Sequence, residues 1–98
     1  MPYLTVTRMS GDPDALLAVK RERFDPVATA VGAENGMIFH LCARTDDGLL
    51  VLNLWESRDG SEATSADPRL QEAKDDVDAG DVPRSYEHYE VEQFERFR

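Results

Sequence analysis

The order of apolar and turn-forming residues predicts an α+β fold assembled as β-α-β-β-α-β. Three observations carry that prediction. The chain opens and closes on stretches dense in β-branched and aromatic residues, at 3–9 and 86–92. Two Asp-Pro pairs, Asp12-Pro13 and Asp67-Pro68, stand in front of helix-forming stretches. Between them Asp46-Asp47-Gly48 separates two apolar runs, a strong signal for a β-hairpin.

Taken in order, the first strand ends at Ser10-Gly11, and Asp12 is placed to cap a helix whose first position is Pro13. Leu16, Lys20, Phe24, Val27 and Val31 fall on one face of that helix, provided the stem of Lys20 lies along it. Pro26 interrupts the pattern, so a kink is expected there, or a second short helix capped by Asp25. Gly32 is the expected stop. The strands at 36–44 and 49–55 follow. Ser57 to Ser61 opens a polar helical stretch, which Asp67-Pro68 restarts with Leu70, Ala73 and Val77 as its buried face. Gly80 to Pro83 reads as loop, and the strand at 86–92 completes the order of a split βαβ, ferredoxin-like architecture. Both helices should then cover one face of a four-stranded antiparallel sheet.

A chain of 98 residues is one domain's worth, 1–98, and its core is thin enough for an oligomer interface to help. With 41% hydrophobic residues it is globular rather than disordered. Its formal net charge of −9 repels a phosphate backbone, which disfavours nucleic acid as a partner and counts mildly against strongly anionic small ligands. The single cysteine, Cys42, excludes an intrachain disulfide and a multi-cysteine zinc site. No signal-peptide pattern opens the sequence, and no apolar run is long enough for a membrane, so a cytoplasmic location is expected.

The hairpin carries most of the functional information, because side chains alternate across a sheet. Met37, Phe39, Leu41 and Ala43 form one set on its first strand, and Ile38, His40, Cys42 and Arg44 the other. On its second strand Leu50, Leu52 and Leu54 alternate with Val51, Asn53 and Trp55. A two-residue loop at Asp47-Gly48 pairs His40 with Trp55, and a four-residue loop pairs His40 with Asn53. Either places His40, Cys42, Asn53 and Trp55 on a common face, whereas an odd-length loop would swap the partnership. The apolar face of Phe39, Leu41, Leu50, Leu52 and Leu54 cannot stay in water. A second copy of the sheet, packed about a two-fold axis, is the economical cover. The alternative is that the helices cover this face and the mixed face meets solvent.

Gly36-Met37-Ile38-Phe39-His40, Asp46-Asp47-Gly48, Val51 to Leu54 and Trp55-Glu56-Ser57-Arg58 resemble the dimeric α+β barrel superfamily. The resemblance is nearest to its small antibiotic-biosynthesis-monooxygenase-like proteins. It implies two ferredoxin-like sheets forming a barrel across a homodimer, with a pocket between sheet and helices in each protomer. It also implies a possible activity, cofactor-independent oxygenation of phenol- or quinol-type aromatic molecules. A non-catalytic small-ligand-binding or accessory dimer of the same fold is the alternative. The haem-degrading branch has a ligating histidine on the second helix. Lys74 stands at that position here and no histidine lies between His40 and His88, so neither haem nor any other cofactor or metal is expected.

Within that frame Trp55 resembles the tryptophan lining the pocket, with Ile38 and Val51 beside it on the same face. A flat indole suits a planar aromatic ligand, although a core tryptophan capping the sheet would look the same in sequence. His40 is the candidate base for a phenolic proton, and Asn53 the candidate donor orienting an oxygen. Their structural alternatives are a hydrogen-bonded histidine and a cross-strand amide. Cys42 reads as a small buried filler, His88 as solvated or at an interface, and Arg8 and Arg44 as partners for carboxylates.

Overall fold

The structure is a computed structural model that describes residues 1–77 and 82–97. Strand β1 (Tyr3–Ser10) leads into helix α1 (Pro13–Val19), a π-helical turn (Lys20–Phe24) and helix α2 (Asp25–Glu34). The hairpin β2 (Met37–Thr45) and β3 (Gly48–Trp55) follows, then helices α3 (Arg58–Ala66) and α4 (Pro68–Val77), and strand β4 (Arg84–Glu90). The sheet order is β2-β3-β1-β4 with every neighbouring pair antiparallel, which is the ferredoxin-like arrangement. The side chain of Val77 and the loop positions Gly80 and Asp81 lie outside the described residues.

Both Asp-Pro starts behave as their chemistry dictates. Asp12 accepts the Ala15 amide with its carboxylate, and Pro13 occupies the first turn, where a missing N–H costs nothing. Asp67 is held extended before Pro68, dividing α3 from α4, and its carboxylate accepts the Arg69 amide at 2.8 Å. Ser57 caps α3 through the Gly60 amide.

The stretch around Pro26 departs from expectation. The helix does not restart on an Asp25 cap, and Asp25 keeps helical angles despite preceding a proline. Instead the turn before Pro26 widens to π geometry, with the Asp25 amide donating to the Lys20 carbonyl five residues back. A proline ring crowds the carbonyl four residues before it, and a wider turn relieves that crowding. The Asp25 carboxylate is thereby left for another partner.

Gly32 does not end α2, which continues to Glu34. Gly32 is buried, and a Cβ there would come within 2.5 Å of the Met37 methyl group. Its bareness makes room for Met37 rather than for a turn. Gly36, at φ +84°, is the residue that reverses the chain into β2. The last strand lies two residues earlier than expected and ends at Glu90, after which the Val91 amide bonds the Pro2 carbonyl at 2.9 Å.

The hairpin turn is also displaced by one residue. Thr45 pairs with Gly48, so Asp46-Asp47 are the two loop residues and Gly48 belongs to β3. The reason is close approach: a Cβ on Gly48 would sit 1.7 Å from the Met9 carbonyl oxygen on β1. His40 therefore faces Asn53, the partnership expected of the longer loop. A bulge at Ile38 then shifts the register, so Met37 rather than Ile38 faces Trp55.

The pairings sort the sheet into two faces. Tyr3, Thr5, Thr7 and Met9 share one with Leu49, Val51, Asn53 and Trp55, and the helices lie on this side. Met9, Leu16 and Leu49 form the buried cluster there, with Cys42 and Leu17 packed against it. Leu4 and Val6 share the other face with Leu50, Leu52, Leu54, Phe39 and Leu41. Leu49 is 2% exposed, so truncating it should open a cavity. Leu49→Ala is expected to cost about 2–5 kcal/mol. Urea titration should show a lower midpoint at an unchanged slope.

Candidate functional site

Between the helix-side face of the sheet and the helices lies a cavity of about 160 Å³. β3 contributes Val51, Asn53 and Trp55 to it, β1 contributes Thr5 and Thr7, and β2 contributes Met37 and His40. Lys20, Phe24 and Asp25 reach it from the widened turn, and Leu70 and Lys74 from α4. Arg84, Tyr86 and His88 close it on the β4 side.

A chain of hydrogen bonds runs along its wall. The Asp25 carboxylate accepts from the Lys20 ammonium at 2.7 Å, and the same ammonium lies 3.1 Å from His40 Nε2. His40 Nδ1 is 2.6 Å from Asn53 Oδ1. The donor roles follow by elimination. An ammonium only donates, so Nε2 must offer a lone pair; an amide oxygen only accepts, so Nδ1 must carry the proton. His40 is therefore a neutral imidazole in its Nδ1–H form, and both ring nitrogens are engaged. The Asn53 amide nitrogen keeps its donors for the cavity.

Lys20 is the residue that sequence reading undervalued. The sequence places only its stem along the helix face. In the structure Lys20 is 3% exposed, head included, and its charge is balanced by Asp25. The only signal in the sequence was a lysine at an apolar position one turn before Asp25-Pro26.

Trp55 is 3% exposed and lines the cavity while donating its indole N–H to Thr5 Oγ1 at 3.2 Å. The indole donor is thus already committed to Thr5. Val51 lines the cavity as well. Ile38 was grouped with them by strict alternation and must be removed. It is the extra residue of the bulge, has no partner on β3 and does not line the cavity; Met37 stands in its place.

The remaining candidates are accounted for. Arg8 pairs with Glu87 and Arg44 with Asp14. The Tyr89 hydroxyl, with Arg8, holds the Glu87 carboxyl below the usual carboxylate range. His88 is exposed and stacks on Tyr3 with ring centroids 6.0 Å apart. The Lys74 ammonium lies over the Tyr86 ring, 5.2 Å from its centroid. Among the described residues no three His, Cys, Asp or Glu side chains are arranged to hold a metal ion, and no helix is long and apolar enough to cross a membrane.

No protein-family model matches the chain, and neither does any curated protein. Solved structures do. SnoaB, a cofactor-independent oxygenase from Streptomyces nogalater, superimposes at a TM-score of 0.73 with 16% identity over 95% of both chains. A Deinococcus radiodurans protein provisionally assigned as an antibiotic biosynthesis monooxygenase gives 0.72 and 18%, over 100% of this chain and 99% of its own. A dimeric ferredoxin-like protein from an uncultured marine organism gives 0.76 and 13%, over 98% of this chain and 93% of its own. What this chain shares with them is the ferredoxin-like fold. Antibiotic-biosynthesis-monooxygenase-like proteins are thus its structural neighbours, as the hairpin motifs implied.

The imidazole assignment has a direct check. Heteronuclear NMR of the His40 ring nitrogens is expected to show Nδ1 protonated and Nε2 bare near neutral pH. Replacing the donor, in Lys20→Met, should let the Nε2–H form appear. An Nε2–H imidazole in the unmodified protein would contradict the hydrogen-bond chain.

Proposed function

We propose that this chain is a cofactor-independent oxygenase of phenol- or quinol-type aromatic molecules, working as a homodimer. The observation that carries the reading is the Lys20–His40–Asn53 chain set beside the Trp55 face in one cavity. An aromatic ring fits against the indole and the Met37 side chain. A phenolic O–H reaching His40 displaces Lys20 from Nε2 and gives its proton to the ring nitrogen, while Asn53 Oδ1 steadies the imidazolium through Nδ1–H. The ammonium of Lys20 is then free to hold the phenolate.

The phenolate is electron-rich enough to reduce dioxygen, and oxygen adds to the ring carbon opposite it. The imidazolium returns the proton to the resulting peroxide. Breaking the O–O bond with loss of the ring-carbon hydrogen releases water and leaves a carbonyl. One phenol and one dioxygen thus become one quinone and one water, with all four electrons supplied by the substrate.

The dimer reading is supported by the sheet face that carries no helix. Phe39 and Leu41 are 40% and 49% exposed on it, beside the half-buried Leu50 and Leu52, whereas Leu54 is already buried within the protomer. A large apolar patch of this kind marks an interaction surface. The marine neighbour is itself described as dimeric.

One observation favours a second reading, a non-catalytic ligand-binding dimer. Both nitrogens of His40 are already occupied, so the resting imidazole has no free lone pair. Oxygen-electrode traces with a phenol that carries hydrogen opposite its hydroxyl, such as 1-naphthol, separate the two. Uptake above the buffer rate is expected, abolished without oxygen, and slowed by about 10²-fold or more in His40→Ala. Saturable quenching of Trp55 with uptake equal to buffer would replace the oxygenase by the binding protein. For the dimer, sedimentation equilibrium should give twice the chain mass of 11.0 kDa, and Leu41→Asp should halve it. A monomeric unmodified protein would refute that part.

A further inference from the structure

We infer that the cavity selects aromatic ligands bearing an ionised oxygen, a carboxylate or a phenolate, with that oxygen facing Lys20 and Lys74. The inference narrows the ligand of the cavity used in the oxygenase reading, and it rests on that reading for the location alone. Its ground is a local reversal of charge. The chain carries a formal −9, yet among the described residues lining the cavity the ammonium groups of Lys20 and Lys74 stand against one carboxylate, that of Asp25.

Lys20 is the sharper half of the argument. An ammonium has three N–H donors. Two go to Asp25 and His40, and among the described residues the third has no acceptor. A buried donor without an acceptor is costly, so a ligand oxygen presented to it is strongly favoured. Lys74 adds a second positive charge on the cavity wall. Its described partner is the face of Tyr86, which attracts the cation but leaves its hydrogen-bond donors unused. Trp55 and Met37 line the same cavity and supply apolar surface for the ring. A neutral ligand satisfies one donor, whereas an anion also answers the surplus charge. The overall acidity of the protein therefore does not exclude an anionic ligand, because the field inside the cavity is set by the nearest groups.

The test compares isosteres by calorimetry under anaerobic conditions, where no turnover contributes. 2-Naphthoate and 2-naphthamide have the same shape and differ in charge. The acid is expected to bind about tenfold tighter than the amide, the value of one charge-assisted hydrogen bond. That preference should vanish in Lys20→Met. It should fall about two- to fivefold in Lys74→Gln, a substitution on a half-buried side chain that tests the idea even where Lys20→Met fails to fold. 4-Nitrophenol separates the two sources of anion. Displacement of the bound dye toward its coloured phenolate at about pH 6 marks a phenolate site, and naphthoate binding without it marks a carboxylate site. Equal affinities for acid and amide, no binding of either, or a preference untouched by Lys74→Gln would overturn the inference. A preference for the acid without oxygen uptake would sink the oxygenase and leave this inference standing; oxygen uptake with equal affinities would do the reverse.

Discussion

The pairing of β2 with β3 decides which side chains share the cavity, and most of the site depends on it. Because side chains alternate with a period of two, a slip of one residue would send His40 to the outer face and Phe39 to the inner one. Two local constraints hold the register. At the turn, Gly48 must be glycine because the Met9 carbonyl occupies the space of its Cβ, which leaves Asp46-Asp47 as the loop. At the far end, the bulge at Ile38 absorbs one residue and returns Met37 to the inner face opposite Trp55. Between those points His40 meets Asn53, and the 2.6 Å contact of their side chains fixes the ring orientation.

The second constraint is the cost of the Lys20 ammonium. Removing an ion from water is expensive by several kcal/mol unless partners replace the hydration. Asp25 supplies the compensating charge and His40 an acceptor, and both are positioned by neighbouring structure rather than by Lys20 itself. Asp25 reaches it because the turn before Pro26 widens, which leaves its carboxylate uncommitted to capping. His40 reaches it because of the β2–β3 register. The helix layer and the sheet thus meet at a charged contact, and a change in either layer is felt at Lys20.

The element order was legible in the sequence because its signals are local. Asp12-Pro13, Ser57 and Asp67-Pro68 mark helix starts by the chemistry of one or two residues, and strand alternation is visible at once. The displacements all arise where a distant residue intervenes. Gly32 reads as a stop, yet it is bare because Met37 needs the space, a contact made only after the chain has turned back. Gly48 reads as a turn residue, yet its constraint comes from Met9, far away in sequence. Within the site, Trp55, Val51, Asn53 and His40 could be grouped by alternation. Ile38 could not be excluded by the same rule, since a bulge breaks the alternation without a signature in composition.

Charge offers the clearest case of a true global statement with a misleading local reading. Twenty acidic residues against eleven basic ones describe the solvent-facing surface, where carboxylates such as Glu87, Asp14 and Asp67 sit in exposed pairs with arginines. In water those pairs are screened within a Debye length of about 8–10 Å and contribute little to the interior. Lys20 is removed from that screening, so its charge acts over the cavity far more strongly than its share of the total suggests. A chain can therefore be acidic by composition while its cavity is not, because Asp25 answers Lys20 and Lys74 adds a further positive charge to the wall.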